Sequence, residues 1–426
     1  MKANCFFTKI SLLFACICLI LMSCEDSPEI SVSSRNIVFD AFPTEGQTLD
    51  ISTSVEWTVT IKQDDDKWLT IDPLQGKGGG TITLTAAENP AFDERSALIA
   101  ISGDGVRTDT VKVTQMAGVN VAEAIKDEAF REYCLMHFDK SPKDGKISLK
   151  EVINTIELKI KRLNIYSLDG IEYFSKLRIL DCSENLINSI DVGKNQELRI
   201  LDCSYNPIAH IDVSKNVKLT ELIIYSADLE NIDVSKNTAL TLLAVSNNPI
   251  GNIDVSNNKE LEGLECNENG LSSLDLKNNT KLLTLRCGSN NLNSLDVSKN
   301  TLLLDLWCNN NPFSSIDLSH NTNLQSFSCA NGNFESLDLS NNLKLTQLLC
   351  NSNRFTTLDI SRNTQLVEFK CARNNLTANI NISNNKALRD LDFRFNPALV
   401  TISVWPGFDR NNSNYFKDNS ANYIGY

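Results

Sequence analysis

The sequence is poor in the residues on which most catalytic sites depend. Among its 426 residues there are three histidines, far apart at positions 137, 210 and 320. It contains no H-E-x-x-H metal motif, no G-x-S-x-G nucleophile motif and no phosphate-binding loop. No cysteine pair has C-x-x-C spacing, which argues against zinc and redox sites. We therefore predict that the chain is not an enzyme and uses no cofactor.

Positive charge is also in short supply. Lysine and arginine number 40 against 53 aspartates and glutamates, which gives a formal net charge of −13. A chain with this balance is repelled by phosphate backbones and by anionic lipid surfaces. The composition therefore argues against nucleic acid, or a charged membrane surface, as the main partner.

The sequence has no apolar run long enough for a permanent membrane helix, but it begins with a shorter one. Lys2 and Lys9 precede an apolar stretch that ends at Met22, which predicts a secretory signal over residues 1–23. The following letters, Leu-Met-Ser-Cys at 21–24, resemble the lipobox of bacterial lipoproteins. That resemblance implies cleavage before Cys24 and lipid attachment to its sulfur; the alternative is an ordinary soluble secretory signal.

An acidic linker over residues 24–29 follows the predicted lipidation site. Its acidic residues are similar to the export tags that send lipoproteins to the outer face of the cell in the Bacteroidetes. The resemblance implies an outer membrane lipoprotein on the cell surface, attached to the membrane only through its lipid anchor. The acidic residues are Glu25, Asp26 and Glu29.

Most of the chain is organised by a repeat, L-x-x-L-x-C-x-x-N-x-(I/L/F). Its first copy begins at Leu177 and the next at Leu198, and the interval of 21 residues holds until the last unit, at Leu388, which arrives one residue late. Eleven units are visible. This period is typical of a leucine-rich repeat solenoid, in which each unit buries its apolar edge against its neighbours. We assign residues 159–400 to it.

Each unit predicts one short strand and two polar turns. Apolar and polar residues alternate in L-x-x-L-x-C, so one side of the strand faces the core and the other faces water. The asparagine after the strand is expected to bond backbone groups of its own and the neighbouring coil. A second column, from Asp191 to Asp359, suits side-chain-to-backbone turns. Calcium binding by that column is an alternative, without the glycine-rich signature of calcium β-rolls.

The repeats also carry a column of eight cysteines. Neighbours in register are close enough for a disulfide, but their Cβ vectors point the same way, which suits the bond poorly. We interpret them as small buried hydrophobic residues. The column comprises Cys182, Cys203, Cys266, Cys287, Cys308, Cys329, Cys350 and Cys371.

Residues 30–118 have a period of two instead. About seven short alternating runs, separated by turns such as Gly78-Gly79-Gly80, predict an immunoglobulin-like β-sandwich. The order of its features, with Trp57, Trp68 and Arg95, resembles the BACON domain. That resemblance implies carbohydrate binding or, alternatively, a spacer. Both tryptophans lie within apolar alternation, so we expect them in the core, which favours the spacer.

Residues 119–158 are predicted to form a helical N-terminal cap for the solenoid. Ile125, Ala129, Phe130, Cys134 and Phe138 mark one face of a first helix, and a Ser-x-x-Glu capping box at 148–151 starts a second. The loop between them resembles an EF-hand, with ligands that would include Asp139, Ser141, Asp144 and Glu151. Lysine and proline at the first and third ligand positions argue against tight calcium binding, so we predict no metal site.

The first coil and the C-terminus are atypical. The letters Leu-Asp-Gly-Ile-Glu-Tyr-Phe at 168–174 are similar to repeats of internalin-type bacterial proteins. Residues 401–426 break the period with Trp405 and are predicted to form a C-terminal cap, with a loosely held tail.

The outward residues of the repeat strands are the candidate binding surface, because they present side chains without disturbing the core. One candidate cluster combines Trp307 with Arg286, Asp305 and Asn309, and has the composition of an interface hot spot. A second is an apolar patch. It comprises Ile200, Ile223, Tyr225, Leu242 and Ala244. The alternative is that scattered surface apolar residues need no partner.

These observations favour a surface-anchored protein whose repeats bind another protein, such as an adhesion or matrix protein of a host. The first alternative is a carbohydrate-binding accessory lipoprotein that acts through the sandwich. The second is a structural spacer at the cell surface.

Overall fold

The computed structural model describes residues 28–62, 67–140 and 143–425. The chain folds as two compact units, the first ending at Gly118 and the second beginning at Val119. None of the helices in these ranges has the length and apolar character needed to cross a bilayer. The predicted signal segment and Cys24 lie outside the described residues.

The first unit is the predicted β-sandwich. Its four-stranded sheet has the order β1-β3-β7-β5 and its five-stranded sheet the order β2-β9-β8-β4-β6. Its strands are β1 Ser31–Val32, β2 Asn36–Phe39, β3 Gln47–Ser52, β4 Glu56–Lys62, β5 Leu69–Asp72, β6 Gln75–Lys77, β7 Gly80–Ala86, β8 Arg95–Gly103 and β9 Asp109–Gln115. Alternate residues such as Ile82 and Ile99 are fully buried between the sheets, which is why the period-two pattern identified the fold.

Both tryptophans of the sandwich lie in its core, as predicted. Trp57 is 3% exposed and Trp68 is 4% exposed. Trp57 Nε1 donates a hydrogen bond to the carbonyl oxygen of Gly78 (2.9 Å). The guanidinium of Arg95 lies 5.0 Å from the centre of the Trp68 ring. Neither ring is available as an exposed stacking platform.

The second unit begins with three short helices, α1 Val121–Ala124, α2 Glu128–Phe138 and α3 Leu149–Val152. The predicted first helix is therefore wrong in one respect, because Ile125 ends α1 instead of joining α2. The chain restarts at Asp127, whose Oδ1 accepts the N–H of Phe130 (2.9 Å) and caps α2. The predicted capping box is present, with the Ser148 N–H donating to Glu151 Oε2 (2.8 Å).

The repeats form the predicted solenoid. Its strands pair in parallel register, so that Leu180, Leu201 and Leu222 are successive partners. They are β11 Ile179–Asp181, β12 Ile200–Asp202, β13 Glu221–Ile223, β14 Leu242–Ala244, β15 Gly263–Glu265, β16 Thr284–Arg286, β17 Asp305–Trp307, β18 Ser326–Ser328, β19 Gln347–Leu349, β20 Glu368–Lys370 and β22 Asp390–Asp392. A strand not predicted, β10 Glu157–Lys159, starts this 13-stranded sheet.

The asparagine after nine of the eleven repeat strands ties neighbouring coils together; Ala227 and Gly332 occupy its position after β13 and β18. In the coil of β16, Asn290 Nδ2 donates to the carbonyl oxygens of Cys266 (2.9 Å), Cys287 (3.0 Å) and Gly288 (3.1 Å). Its Oδ1 accepts the N–H groups of Asn269 and Leu271, both at 3.0 Å. One buried amide thus satisfies five backbone groups that the tight turn would otherwise leave unpaired.

A second asparagine column lies on the far side of the coil and makes fewer bonds. Asn300 Nδ2 donates to the carbonyl oxygens of Leu276 (3.1 Å) and Asn279 (2.8 Å). Its Oδ1 is buried and has no hydrogen-bond partner within the described ranges. The two columns therefore contribute unequally to the stack.

The aspartate column forms the predicted turns. In one of them the N–H of Ser235 donates to Asp233 Oδ1 (2.8 Å). This bond, with a further one from the Ser235 side chain, lowers the pKa of Asp233. Asp254 and Asp296 have lowered pKa values for the same reason.

We expect these aspartates to make the solenoid acid-sensitive. A carboxyl group with a lowered folded-state pKa stabilises the fold above its unfolded value, about 3.9, and that stability is lost as pH falls through the folded pKa. The triple variant Asp233→Asn, Asp254→Asn, Asp296→Asn should therefore lose less stability than the parent chain between pH 6 and pH 3 in urea unfolding. As a control, Glu132→Gln, Glu262→Gln, Glu335→Gln makes the same charge change at exposed positions outside the column. If both variants lose the same amount of stability between pH 6 and pH 3, the aspartate column is not the cause of the acid sensitivity.

The C-terminal tail is more ordered than predicted. β24 Tyr415–Phe416 adds a last strand to the 13-stranded sheet, and β21 Ala378–Asn381, β23 Leu399–Val404 and β25 Asn422–Gly425 form a second sheet. The Phe408 ring lies 4.9 Å from both Tyr415 and Tyr423. The tail closes the end of the solenoid instead of being loosely held.

The cysteine column is buried in the solenoid core, as predicted. All eight thiols are free and at most 2% exposed. Burial raises the pKa of Cys287 to about 12, so this side chain remains a neutral thiol.

Candidate functional site

The solenoid presents one regular surface, the outward side of its 13-stranded sheet, which we call the sheet face. In the three-residue repeat strands the middle residue is buried and the first and third point outward, half-buried by their neighbours. In β14, β18 and β22 the third residue is buried as well. The residue two positions after the strand continues the same side. Because the strands are in register, these positions form three straight columns.

The predicted cluster around Trp307 is brought together on this face. Arg286 and Trp307 are register partners on β16 and β17. The Arg286 guanidinium lies 5.1 Å from the centre of the Trp307 ring and 3.2 Å from Asp305 Oδ2. Trp307 Nε1 donates to Ser326 Oγ (3.1 Å). The indole is therefore held in one orientation while remaining half-exposed.

Asn309 lies in the third column, beside the same cluster. A Cβ added to Gly288, in the preceding coil, would approach Asn309 Oδ1 to 2.9 Å. The absence of a side chain at Gly288 thus leaves room for the Asn309 amide on the face.

Tyr225 is joined to this cluster through a residue that the sequence did not single out for the site. Its hydroxyl donates to Glu265 Oε2 (2.6 Å), and Glu265 Oε1 lies 3.6 Å from Arg286 Nη1. Burial, with the bond to Glu265, raises the pKa of Tyr225, so the phenol stays protonated. Glu265 thus links the aromatic residues of two predicted groups.

The network continues beyond Trp307 across the next strands. Ser326 Oγ donates to Gln347 Oε1 (2.7 Å), and Gln347 Nε2 donates to Glu368 Oε2 (2.6 Å). Lys370 Nζ then pairs with Glu368 (2.6 Å) and Asp390 (3.4 Å). Side chains from β15 to β22 are consequently held in one connected arrangement before any partner arrives.

The predicted apolar patch is present with one correction. Ile200, Ile223 and Leu242 are half-buried on the face, but Ala244 is only 1% exposed and contributes nothing to it. Its methyl group is too short to reach past its longer register neighbours Ile223 and Glu265. Leu242 instead lies over Gly263, where an added Cβ would come within 2.9 Å of it.

In the EF-hand-like loop, the carboxylates accept hydrogen bonds from backbone N–H groups of the loop itself. Asp139 Oδ1 and Oδ2 accept the N–H groups of Asp144 (3.2 Å) and Gly145 (2.9 Å), and Glu151 Oε1 accepts that of Lys140 (3.1 Å). Ser141 lies outside the described residues. Backbone donors occupy the oxygens that a calcium ion would need. Within the described ranges, no group of three or more His, Cys, Asp or Glu could hold a metal ion.

Two exposed phenylalanines at the C-terminal end were missed by the sequence reasoning. Phe395 is 55% exposed with Arg373 4.6 Å from its ring centre, and Phe416 is 40% exposed with Arg394 at 4.4 Å. Phe416 lies on β24, beyond the last repeat, so the repeat template gave no signal for it. Phe395 precedes the asparagine of the last unit, a position that the template left unassigned.

The sandwich offers a polar cleft of about 940 Å³, lined by residues that include Thr58, Gln75 and Ser102. Lys77 pairs with Glu56 (3.2 Å) at its edge. Trp57 also borders the cleft but is buried, so the cleft exposes no aromatic face.

Comparisons with known proteins agree with both units. Residues 56–116 match the BACON family, described as "Putative binding domain, N-terminal". The functional domain of InlJ from Listeria monocytogenes, which includes a cysteine ladder, is 27% identical over 71% of each chain, with a TM-score of 0.65. The internalin InlF from the same organism is 19% identical over 72% of this chain and 97% of its own, with a TM-score of 0.58. A comparison with curated proteins gave no match. The chain thus carries a BACON domain followed by a leucine-rich repeat solenoid similar to those of internalins.

Proposed function

We propose that this chain is a surface-anchored binding protein that recognises another protein, such as an adhesion or matrix protein of a host, through the sheet face of its repeats. The main evidence for the proposal is Trp307, a half-exposed residue whose indole is held in one orientation at the centre of a connected aromatic and charged network. An aromatic residue held by its neighbours loses little conformational entropy when a partner packs on it. The similarity to internalins supports a binding role for the solenoid.

The anchor and the location are part of the same proposal. Attachment through a lipid on Cys24 would place the repeats outside the cell, at the outer membrane. Buried free cysteines throughout the solenoid are compatible with export, because burial shields them from oxidants and keeps them as neutral thiols. Mass spectrometry of the detergent-extracted protein tests the anchor, and the lipid should disappear in Cys24→Ala.

Binding is tested on an array of extracellular-matrix proteins and mucin-type glycans with the chain from residue 25 onward. We expect saturable binding to a protein and a loss of at least about 30-fold in affinity for Trp307→Ala, the effect of removing an interface hot spot. Tyr166→Ala is the control, because Tyr166 is an aromatic residue that is 64% exposed and lies outside the sheet face. It should bind like the parent chain.

Two results would contradict the proposal. One is saturable binding to proteins that Trp307→Ala leaves unchanged while the variant remains folded. The other is binding to glycans alone, which would support the carbohydrate-binding alternative through the sandwich. Binding to neither class would leave the spacer as the better description.

A further inference from the structure

We infer that the segment recognised by the sheet face is cationic, with lysine or arginine side chains interspersed among apolar ones, and that it lies over strands β11–β17. This inference rests on the proposed function and adds the chemistry of the partner and its position on the face. The evidence for it is the distribution of carboxylates on the sheet face that lack an ion-pair partner of their own.

Three carboxylates on β11–β13 form no ion pair within the described ranges. Asp181 and Asp202 are direct register neighbours, and Glu221 follows on β13. Asp181 accepts hydrogen bonds from the N–H (3.1 Å) and the hydroxyl (2.6 Å) of Ser183, and Asp202 accepts one from the N–H of Ser204 (3.0 Å). On its other side Asp181 has Lys159 of β10 as its register neighbour, and the ion pair of Lys159 goes to Glu157 (2.7 Å). Adjacent strands are about 4.8 Å apart, so Asp181 and Asp202 repel each other.

The middle of the face also has more carboxylates than cationic side chains. Arg286 is shared between two carboxylates, Glu265 at 3.6 Å and Asp305 at 3.2 Å. The second oxygen of Asp305 is buried from solvent and has no hydrogen-bond partner among the described residues. Five carboxylates thus face one guanidinium between β11 and β17.

On the last strands of the same face, the carboxylates form ion pairs with cationic side chains of the chain itself. Lys370 pairs with both Glu368 (2.6 Å) and Asp390 (3.4 Å), and Arg394 pairs with Asp392 (2.6 Å). Here each carboxylate already has a cation from the chain itself. Because the two ends share one sheet and one repeat, the uncompensated charge is a property of these residues and not of the fold.

Apolar side chains lie among the unpaired carboxylates. Ile179 and Ile200 are register neighbours in the first column, and Ile223 and Leu242 continue the apolar surface. A purely ionic ligand would leave this surface in water, whereas a segment that alternates cationic and apolar residues covers both kinds of group. Charge complementarity of this kind raises the association rate and excludes acidic partners.

The test selects binders from a random-sequence peptide library with the chain from residue 25 onward. The inference predicts enriched peptides that carry net positive charge and apolar residues. The double variant Asp181→Asn, Asp202→Asn should bind them roughly tenfold more weakly at low salt, and its affinity should depend less on salt concentration. The asparagines keep an acceptor for Ser183 and Ser204, and circular dichroism confirms that the variant is folded.

The matched control is Asp191→Asn, Asp212→Asn, which removes the same charge from exposed turns outside the sheet face. It should bind the peptides as the parent chain does. Enrichment of neutral or acidic peptides, or binding that is lost in Trp307→Ala but unchanged in Asp181→Asn, Asp202→Asn, would overturn the inference and leave the proposed function standing. Failure to enrich any peptide over the Trp307→Ala chain would count against both.

Discussion

Replacing Asn290 by alanine is expected to lower the free energy of unfolding of the repeat unit by about 4 kcal/mol. The change removes three donated and two accepted hydrogen bonds and leaves five backbone groups without their side-chain partner in a buried turn. Each buried group left unpaired costs roughly 1–3 kcal/mol, and relaxation of the turn and entry of water recover part of the sum. Urea unfolding followed by far-ultraviolet circular dichroism measures the effect.

Asn300→Ala provides the matched comparison. It deletes the same side chain from a fully buried site, but only two bonds are lost and the partnerless Oδ1 is removed with them. We expect a loss of about 2 kcal/mol, half that of Asn290→Ala. Equal losses for the two variants would show that burial of the amide, and not its bonds, determines the stability of the stack.

Gly76→Ala is expected to destabilise the sandwich by about 3 kcal/mol, because an added methyl group overlaps the core. Its Cβ would lie 2.3 Å from Cζ2 and 2.7 Å from Cε2 of Trp57. The indole cannot move aside cheaply, since it is buried and its Nε1 is bonded to Gly78. Overpacking of a close-packed core typically costs 1–3 kcal/mol, and overlap with a fixed ring lies near the upper end. Hydrogen exchange of the β4 amides reports on this unit separately from the repeats.

Gly79→Ala tests whether that loss comes from the overlap. The substitution is chemically identical and three residues away, but the nearest atom to its added Cβ is the carbonyl oxygen of Ile51, at an ordinary 3.6 Å. The free energy of opening obtained from hydrogen exchange of the β4 amides should be the same in Gly79→Ala as in the parent chain to within about 0.5 kcal/mol. If both variants exchange alike, close approach to Trp57 is not what restricts position 76 to glycine.

The repeat strands could be predicted because their signal is repeated. Leu180, Cys182 and Asn185 recur in unit after unit, so an ambiguous copy is resolved by its neighbours. β10 was missed because only Leu158 of its three residues carries the pattern. The order of the tail could not be predicted because its pairing depends on edges supplied by β22 and β23, and no local pattern in residues 415–425 indicates them.

The candidate site could be predicted only as a set of positions. Register placed Arg286 beside Trp307, and the structure confirms that neighbourhood. The bond from Tyr225 to Glu265 joins residues 40 apart and depends on side-chain rotamers that the repeat does not specify. Similarly, Asp127 determines that α1 and α2 are separate, because a capping carboxylate outweighs an apolar spacing that would allow one helix.

The asparagine bonds and the strand pairs both run from one coil to the next, so they determine how the solenoid responds to mechanical load. A pull along the stack is carried by these boundaries in series, and the weakest boundary separates first. Each separation releases one coil of 21 residues, a contour of roughly 70 Å at about 3.4 Å per residue. In the proposed adhesive role, the tether between cell and partner would therefore lengthen under load in steps of this size.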